Sequence, residues 1–165
     1  IFDVIYNEFY IEELGWSGEE IGYLRPFGMW LGGLIGLSAG ILTVYFKRRN
    51  LLLLFIVGQA TVFLATSTFT AETSDLVASM AIVGVDAVDA GWSVLIFSIL
   101  MALCTSNTSA TNFGIFMGFG NISMLIGNNL APIVLGTGNY SFAFIFAALS
   151  LIPCILCAHY LTKES

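Results

Sequence analysis

Residues 76–103 read LVASMAIVGVDAVDAGWSVLIFSILMAL. A helix of about 20 mostly apolar residues is long enough to cross the ~30 Å hydrocarbon core of a bilayer. The quoted run is longer than that and contains two charged residues, Asp86 and Asp89. It therefore predicts a membrane-spanning helix that carries two carboxylates at membrane depth.

The composition of the whole chain favours the same class of protein. Hydrophobic residues make up 58% of the 165 residues and charged residues 10%, whereas soluble globular chains average about 45–50% and about 25%. This excludes a soluble domain, a disordered chain and a disulfide-stapled module. The formal net charge is −6, and basic residues form one short run from Lys47 to Arg49. We therefore expect the lipid bilayer as a partner and no nucleic acid.

Five runs have the length and composition of membrane spans. Residues 1–11 resemble the end of a sixth, because this many helical residues extend only about 16 Å. The sequence predicts one domain over residues 1–165, an all-α integral membrane bundle, in which residues 1–11 are either the end of a span that begins upstream or an interfacial helix. The five full spans are residues 21–46, 51–67, 76–103, 110–135 and 141–160.

Basic residues predict the orientation of the bundle, because Lys and Arg collect in cytoplasmic connections. The connection at residues 47–50 contains three of them and is therefore predicted to be cytoplasmic. Alternation then places Lys163 inside as well, whereas Arg25 falls on the outer side. We expect a multi-pass membrane protein with this orientation.

The first full span has a start signal and a packing signal. Ser17 and Glu20 have the spacing of a capping box, which predicts a helix that begins there. Glycines then recur every fourth residue and form one stripe, the usual signature of close backbone approach between helices in lipid. The predicted packing residues are Gly28, Gly32, Gly36 and Gly40, with a weaker repeat at Gly114 and Gly118.

Asp86 and Asp89 are the most informative residues of the chain. Their i, i+3 spacing favours one helix face, which Ser93 continues. Each charge at the centre of a membrane helix costs about 2.5–3.5 kcal/mol, so both carboxylates must face a bundle interior or a wet cavity. We identify them as proton-coupling candidates. The alternative is structural: they cap or pair within the bundle, or lie near the outer interface.

Other polar side chains recur on single helix faces and suggest a shared hydrated cavity. Two of them have a plainer interpretation: Gln59 alone fits an interhelical hydrogen bond, and Arg25 fits an interfacial side chain whose charge reaches the headgroups. The candidate cavity residues are Asp3, Tyr6, Asn7, Tyr10, Arg25, Gln59, Ser93, Asn121 and Asn128.

Enzyme motifs do not fit the sequence. Asp86 and Asp89 lack the glycine and the later aspartates of the membrane phosphoalcohol transferases, and no Gly-x-Gly-Asp of intramembrane aspartyl proteases is present. The single histidine, His159, has no partner residue for a metal or nucleophile site. There is no phosphate-binding glycine loop. We expect no enzyme, no metal and no cofactor.

Three stretches resemble the C-terminal half of the AmpG-like muropeptide permeases of the major facilitator superfamily. Residues 9–22, FYIEELGWSGEEIG, are similar to the turn between the seventh and eighth helices of that family. LMALC at 100–104 followed by SATNF at 109–113 is similar to the stretch before its eleventh helix. Residues 144–153 resemble its last helix, which has an internal proline. Some of these motifs are shared with acetyl-coenzyme A transporters.

The resemblance implies half of a two-part bundle, whose partner is an N-terminal half and whose small-molecule substrate binds between the halves near the midplane. It further implies proton-coupled import of anhydro-muropeptides across a bacterial inner membrane. The chain departs from the family at Val85-Asp86-Ala87, where members often have Phe-Glu-Asn, and at Asn128-Asn129.

The mechanism that we expect uses Asp86 or Asp89 as the proton acceptor, because burial favours the neutral carboxyl. Two alternatives stay open. One is a permease for another solute, an acetyl-coenzyme A-like molecule or a small peptide. The other is a non-transporting membrane scaffold, in which the polar stripes contact each other and leave no cavity.

Overall fold

The computed structural model describes residues 2–104, 109–136 and 138–161. These residues form α-helices joined by short turns and contain no strand, as the sequence predicts. The helices are α1 (Phe2–Glu12), α2 (Gly18–Leu42), α3 (Arg48–Thr66), α4 (Asp75–Leu103), α5 (Ser109–Leu135), α6 (Tyr140–Leu149) and α7 (Ile152–Leu161).

The turn from α1 into α2 is built from local signals. Gly15 has a φ of 71°, a conformation that glycine adopts without steric cost, and the Trp16 N–H donates back to the Tyr10 carbonyl over 2.9 Å. The predicted capping box is confirmed: the Glu20 N–H donates to Ser17 Oγ over 3.2 Å, and the Ser17 N–H donates to the Glu20 carboxylate over 2.7 Å. These bonds satisfy amides that a helix start would otherwise leave unpaired.

Two helices among the described residues are long and apolar enough to cross a membrane, α3 and residues Asp75–Ala102 of α4. The other predicted full spans are also helical, but α2 and α5 contain more glycine and polar residues and fall below that apolar level. Length and composition therefore support membrane integration at two helices directly.

The predicted boundaries change at two places. The run 141–160 was expected as one span, but it is interrupted between α6 and α7, and its apolar helix is shorter than a full span. Pro153 has no N–H to continue the ladder, and the Leu151 N–H turns instead to the Ala148 carbonyl, 3.2 Å away. The basic run also differs: Arg48 and Arg49 belong to the first turn of α3, because Lys47 is its N-cap.

Helix α4 lies between α2 and α3. It runs parallel to α2, since Gly28 lies against Asp86 and Gly36 against Val94. It runs antiparallel to α3, whose Gly58 lies near Val88 while Val62 lies near Gly84. Helix α3 packs on its other side against α6 and α7, and α1 packs against α5 and α6.

An aromatic cluster holds α1 in the bundle. Phe144 of α6 is fully buried and meets the rings of Phe9 and Tyr6 edge-on, with centroids 5.1 and 5.7 Å apart. Tyr10 is also fully buried and meets Trp16 edge-on at 5.1 Å. Such ring pairs add to the stabilisation that burial of the rings already gives, so α1 is anchored along most of its length.

By contrast, α2 and α5 expose broad apolar surfaces. Tyr23 and Trp30 of α2 are 81% and 78% exposed. On α5 the buried residues are confined to the last third of the helix, at Gly127, Ala131 and Val134. Apolar surface on this scale is expected where lipid or another protein surface covers it.

The capping box predicts an acid-dependent loss of stability. The two bonds from Ser17 lower the pKa of Glu20 below its ordinary value of 4.5, so this stabilisation is complete above 4.5 and is lost as pH falls through the folded-state pKa. Ser17→Ala should lower the free energy of unfolding by about 0.5–2 kcal/mol at neutral pH, and should reduce the further loss on acidification. Thermal unfolding in detergent, followed by circular dichroism, measures both.

The matched control is Ser38→Ala, because Ser38 donates to the Leu34 carbonyl within α2 and caps nothing. Equal acid sensitivity of the two variants would contradict the assignment of the cap.

Candidate functional site

Asp86 lies at the contact between α4 and α2, about 16 Å along the axis of α4 from its start. Its Oδ2 atom is buried from solvent. A Cβ added at Gly28 would lie 2.5 Å from this oxygen and 3.0 Å from the Asp86 Cβ. The carboxylate therefore lies directly against the backbone of α2, in space that only a glycine leaves open.

Two further glycines of the predicted stripe continue this contact. A Cβ at Gly32 would lie 3.0 Å from the Ala90 side chain, and one at Gly36 would lie 3.2 Å from Val94. The close contact ends there, because a Cβ at Gly40 meets nothing within 4 Å. Three of the four glycines thus permit the close approach of α2 and α4.

The second glycine repeat does not form such a contact in the described residues. A Cβ at Gly114 or Gly118 meets nothing within 4 Å. Both lie in the part of α5 that is not buried. The spacing alone could not distinguish this stripe from the one on α2.

The side chain of Asp89 points about 60° away from that of Asp86 around the axis of α4. It is exposed, and its Oδ1 accepts a hydrogen bond of 2.7 Å from the indole N–H of Trp92. Asp89 lies on the same face of α4 as Ile82 and Val85, which are buried in the apolar cluster that also contains residues of α1. Ser93, four residues later on this face, is half-buried. The two carboxylates therefore have different neighbours, although the sequence predicts one shared face.

Two members of the predicted polar stripe of α1, Tyr6 and Tyr10, lie inside the bundle. The rings of Tyr6 and Tyr10 are stacked with centroids 4.8 Å apart, and their hydroxyls are 3.2 Å apart. The Tyr10 hydroxyl donates to the carbonyl of Ala78 on α4 over 2.7 Å. Both tyrosines are buried, so these bonds satisfy polar groups that would otherwise be costly in an apolar interior.

Arg25 joins this stripe from α2. Its Nη2 donates to Asn7 Oδ1 over 3.1 Å, and both side chains are half-buried. Arg25 and Asp86 both lie close enough to act electrostatically on the Tyr6 hydroxyl, which also bonds to the Thr66 side chain. The structure thus brings together residues of four helices, which we term the Tyr6 cluster: Tyr6, Asn7, Tyr10, Arg25, Thr66 and Asp86.

Thr66 is the member of this cluster that the sequence analysis missed. It is fully buried on α3 and also donates to the Val62 carbonyl within its own helix over 2.9 Å. A signal was available, since Thr66 lies seven residues after Gln59 and therefore on the same helix face. A single threonine near the end of an apolar run is too common to single it out.

The remaining predicted cavity residues lie outside the Tyr6 cluster. Gln59 is 6% exposed, and its Oε1 accepts no hydrogen bond from the described residues. Asn121 and Asn128 are exposed on α5. Asp3 belongs to α1, but its side chain lies outside the described residues. Among the described residues, Gln59, Asn121 and Asn128 thus lie apart from the Tyr6 cluster, and the prediction of one shared cavity stays a prediction.

At the C-terminal end of α1 a second polar contact joins this helix to α6. The Tyr140 hydroxyl donates to the Glu12 carboxylate. Burial of the hydroxyl raises the pKa of Tyr140, and the nearby negative charges of Glu12, Glu8 and Glu13 raise it further. Tyr140 therefore remains a neutral donor across the physiological pH range.

The surface grooves of the bundle are apolar and shallow. One follows the glycine stripe between Gly32 and Gly40 and is closed on its other side by Ala90 and Val94. A second lies between Leu24 and Gly84. Neither groove contains a member of the Tyr6 cluster. Within the described ranges, no group of three His, Cys, Asp or Glu residues is placed to hold a metal ion.

The comparisons with known proteins give no relative: no family model matches the chain, and neither a curated protein nor a solved structure does. The resemblance to muropeptide permeases therefore stays a prediction from sequence motifs.

Removal of one hydroxyl tests the buried tyrosine contacts. Tyr10→Phe loses the bonds to Ala78 and Tyr6 while the rings stay packed, and we expect a loss of about 0.5–1.5 kcal/mol for each hydrogen bond. The measurement is thermal unfolding in detergent. Tyr23→Phe is the matched control, because Tyr23 is exposed. An effect no larger than that of the control would contradict the contacts.

Proposed function

We propose that this chain is the C-terminal half of a proton-coupled secondary transporter and that Asp86 is its coupling carboxylate. The observation that carries the proposal is that Asp86, half-buried at the middle of a helix apolar enough to cross a membrane, acts electrostatically on the buried Tyr6. Arg25, which bonds to Asn7, acts on the same hydroxyl. Ionisable groups at membrane depth are costly, and they typically mark ion and substrate pathways.

The coupling step requires a carboxyl that is stable in both charge states. Asp86 is half-buried, with one oxygen covered by α2. Covering a carboxyl favours its neutral form, whereas access to water favours the carboxylate. Proton uptake by Asp86 would therefore lower the cost of closing the bundle around it, and proton release would accompany opening.

Polar side chains that remain exposed support the presence of an N-terminal half that packs against this bundle. Asp89 and Asn121 lie on the surface of a bundle whose α2 and α5 are also broadly apolar and exposed. A carboxylate that faced lipid would cost about 2.5–3.5 kcal/mol, so this side of α4 fits contact with water or with another protein surface. The N-terminal half that the resemblance implies would supply that surface, with the substrate between the halves.

The geometry also bears on the class of substrate. Arg25 is a fork-shaped donor held by Asn7, and such a group suits a carboxylate on the ligand. Exposed Asn121 and Asn128 and half-buried Ser93 supply neutral donors and acceptors that suit sugar hydroxyls and peptide groups. Anhydro-muropeptides, which combine a sugar with a carboxylate-bearing peptide, are the substrate that we propose. An acetyl-coenzyme A-like molecule or a small peptide remains the alternative.

Neutralising the carboxylates tests the proposal. In the full-length protein, Asp86→Asn should lower uptake driven by a pH gradient by about 5–150-fold, the range of ordinary coupling free energies. It should retain exchange of labelled for unlabelled substrate, which needs no net proton movement. Asp89→Asn should retain gradient-driven uptake, because Asp89 lies outside the Tyr6 cluster. Uptake of labelled anhydro-muropeptide into proteoliposomes measures both.

Unchanged gradient-driven uptake in the Asp86→Asn/Asp89→Asn double variant would remove both residues from the mechanism. No uptake of any tested solute by the wild-type protein would oppose the transporter itself.

Substrate affinity provides an independent test at Arg25. Arg25→Gln removes the positive charge and the bond to Asn7, and hydrogen bonds to charged groups contribute about 1.5–3 kcal/mol. We expect a higher KM for the muropeptide, with a smaller rise for an analogue whose peptide carboxylate is amidated. Arg48→Gln, at the far end of α3, is the control variant. Equal rises in KM for the muropeptide and for the amidated analogue would show that Arg25 does not recognise the carboxylate of the substrate.

A non-transporting scaffold is the second candidate, because part of the polar surface is internally paired. The Tyr6–Tyr10 and Asn7–Arg25 bonds use polar groups within the bundle itself, as a scaffold would. Neither of the two apolar grooves is lined by a residue of the Tyr6 cluster. The uptake assay separates the two functions, because a scaffold moves no solute in any variant.

A further inference from the structure

We infer that Gly28 is the positioning residue for Asp86 and that α2 acts as a movable cover over its carboxylate. This inference rests on the proposed function, since it describes how that site is opened and closed. Its evidence is the geometry of one contact, in which a carboxylate oxygen is buried against a residue that has no side chain.

The three nearest atoms to a Cβ at Gly28 all belong to the Asp86 side chain, at 2.5, 3.0 and 3.2 Å. The other tight glycines differ. Gly32 meets the Ala90 side chain and the Asp86 backbone carbonyl, and Gly36 meets the Val94 side chain. Gly28 is therefore the position of the stripe at which α2 contacts the carboxylate itself.

The contact of α2 with the bundle is made mainly with α4. It consists largely of glycines, which present a smooth surface with few interlocking side chains. Large apolar residues elsewhere on α2 are exposed, including Phe27 and Trp30, whereas Ile21 and Ala39 are buried in the two apolar clusters. A local displacement of α2 at Gly28 would therefore break few interlocked side-chain contacts, while both ends of the helix are held by apolar packing.

Such a displacement would affect two groups together. Arg25 lies about one turn before Gly28 on α2 and donates to Asn7 on α1. Movement that lifts Gly28 from Asp86 would also draw Arg25 away from Asn7. Exposure of the coupling carboxyl and release of the guanidinium are thereby linked through the same turn of α2, and a link of this kind can couple proton and substrate binding.

The test is carbodiimide labelling of the purified full-length protein, since this reagent modifies carboxyl groups. In Gly28→Ala the added methyl must displace the Asp86 side chain. Labelling of Asp86 by a water-soluble carbodiimide, measured by peptide mass spectrometry, should rise on the order of tenfold as the carboxyl loses its cover. The pH profile of the labelling should move with it.

Gly36→Ala is the matched control. It places a methyl in the same α2–α4 contact, 3.2 Å from Val94 and away from Asp86. We expect the wild-type labelling level and pH profile in this variant. Equal changes in Gly28→Ala and Gly36→Ala would overturn the inference, because they would reflect general loosening of the packing.

A double-mutant cycle keeps the inference testable if Gly28→Ala folds poorly. Asp86→Ala removes the carboxylate that the new methyl would meet, so it should restore much of the thermal stability lost in Gly28→Ala. The same background should give no rescue of Gly36→Ala. Absence of rescue at Gly28 would overturn the inference.

These readouts do not require transport. If labelling and rescue behave as expected while Asp86→Asn still couples uptake to protons, the positioning role stands and the proposed function fails. If Asp86→Asn no longer couples uptake to protons while Asp86 is labelled in Gly28→Ala as in the wild type, the proposed function stands and the role of α2 as a cover is rejected.

Discussion

The constraint on which this structure depends is that a carboxylate at membrane depth must be covered by protein or reached by water. The chain covers Asp86 by bringing α2 against it at Gly28, where the absence of a Cβ leaves room for a carboxylate oxygen. Gly32 and Gly36 continue the close approach of α2 to α4, and Arg25, earlier on α2, bonds to Asn7 on α1. The covering of Asp86 is thus part of a longer contact surface of α2.

Apolar packing is spread over the bundle. Every helix from α1 to α6 contributes to an apolar cluster in which Tyr10 and Phe144 are fully buried, and hydrogen bonds from Tyr10 and Tyr140 secure α1 at two levels. Helix α2 exposes large apolar side chains but has its most extensive contact with α4, whereas the described part of α5 has no buried residue before Gly127. Local stability in proteins follows the density of buried contacts, so relative motion is expected first in the earlier part of α5, which contains the exposed Asn121.

The two aspartates illustrate how neighbouring positions can take different roles. Residues three apart on a helix differ by about 60° in direction. This is enough for Asp86 to contact α2, while Asp89 lies on the face of Ile82 and Val85, which share an apolar cluster with α1. Asp86 is half-buried against α2, whereas Asp89 is exposed and bonds to Trp92.

Local properties of the sequence determined the helices. Apolar run length gave their positions to within a few residues, and Ser17 and Glu20 gave the start of α2, because capping bonds form between neighbours in the chain. The break near Pro153 also has a local cause, the missing N–H of the proline, whereas the tertiary structure decided which residues contact each other. Glycine spacing shows that a helix can be approached closely but not which helix approaches it, so Gly28 and Gly114 read alike in sequence and differ in the fold. The same reason separates Asp86 from Asp89: helical periodicity fixes the direction of a side chain, and only the packing of distant segments decides what lies there.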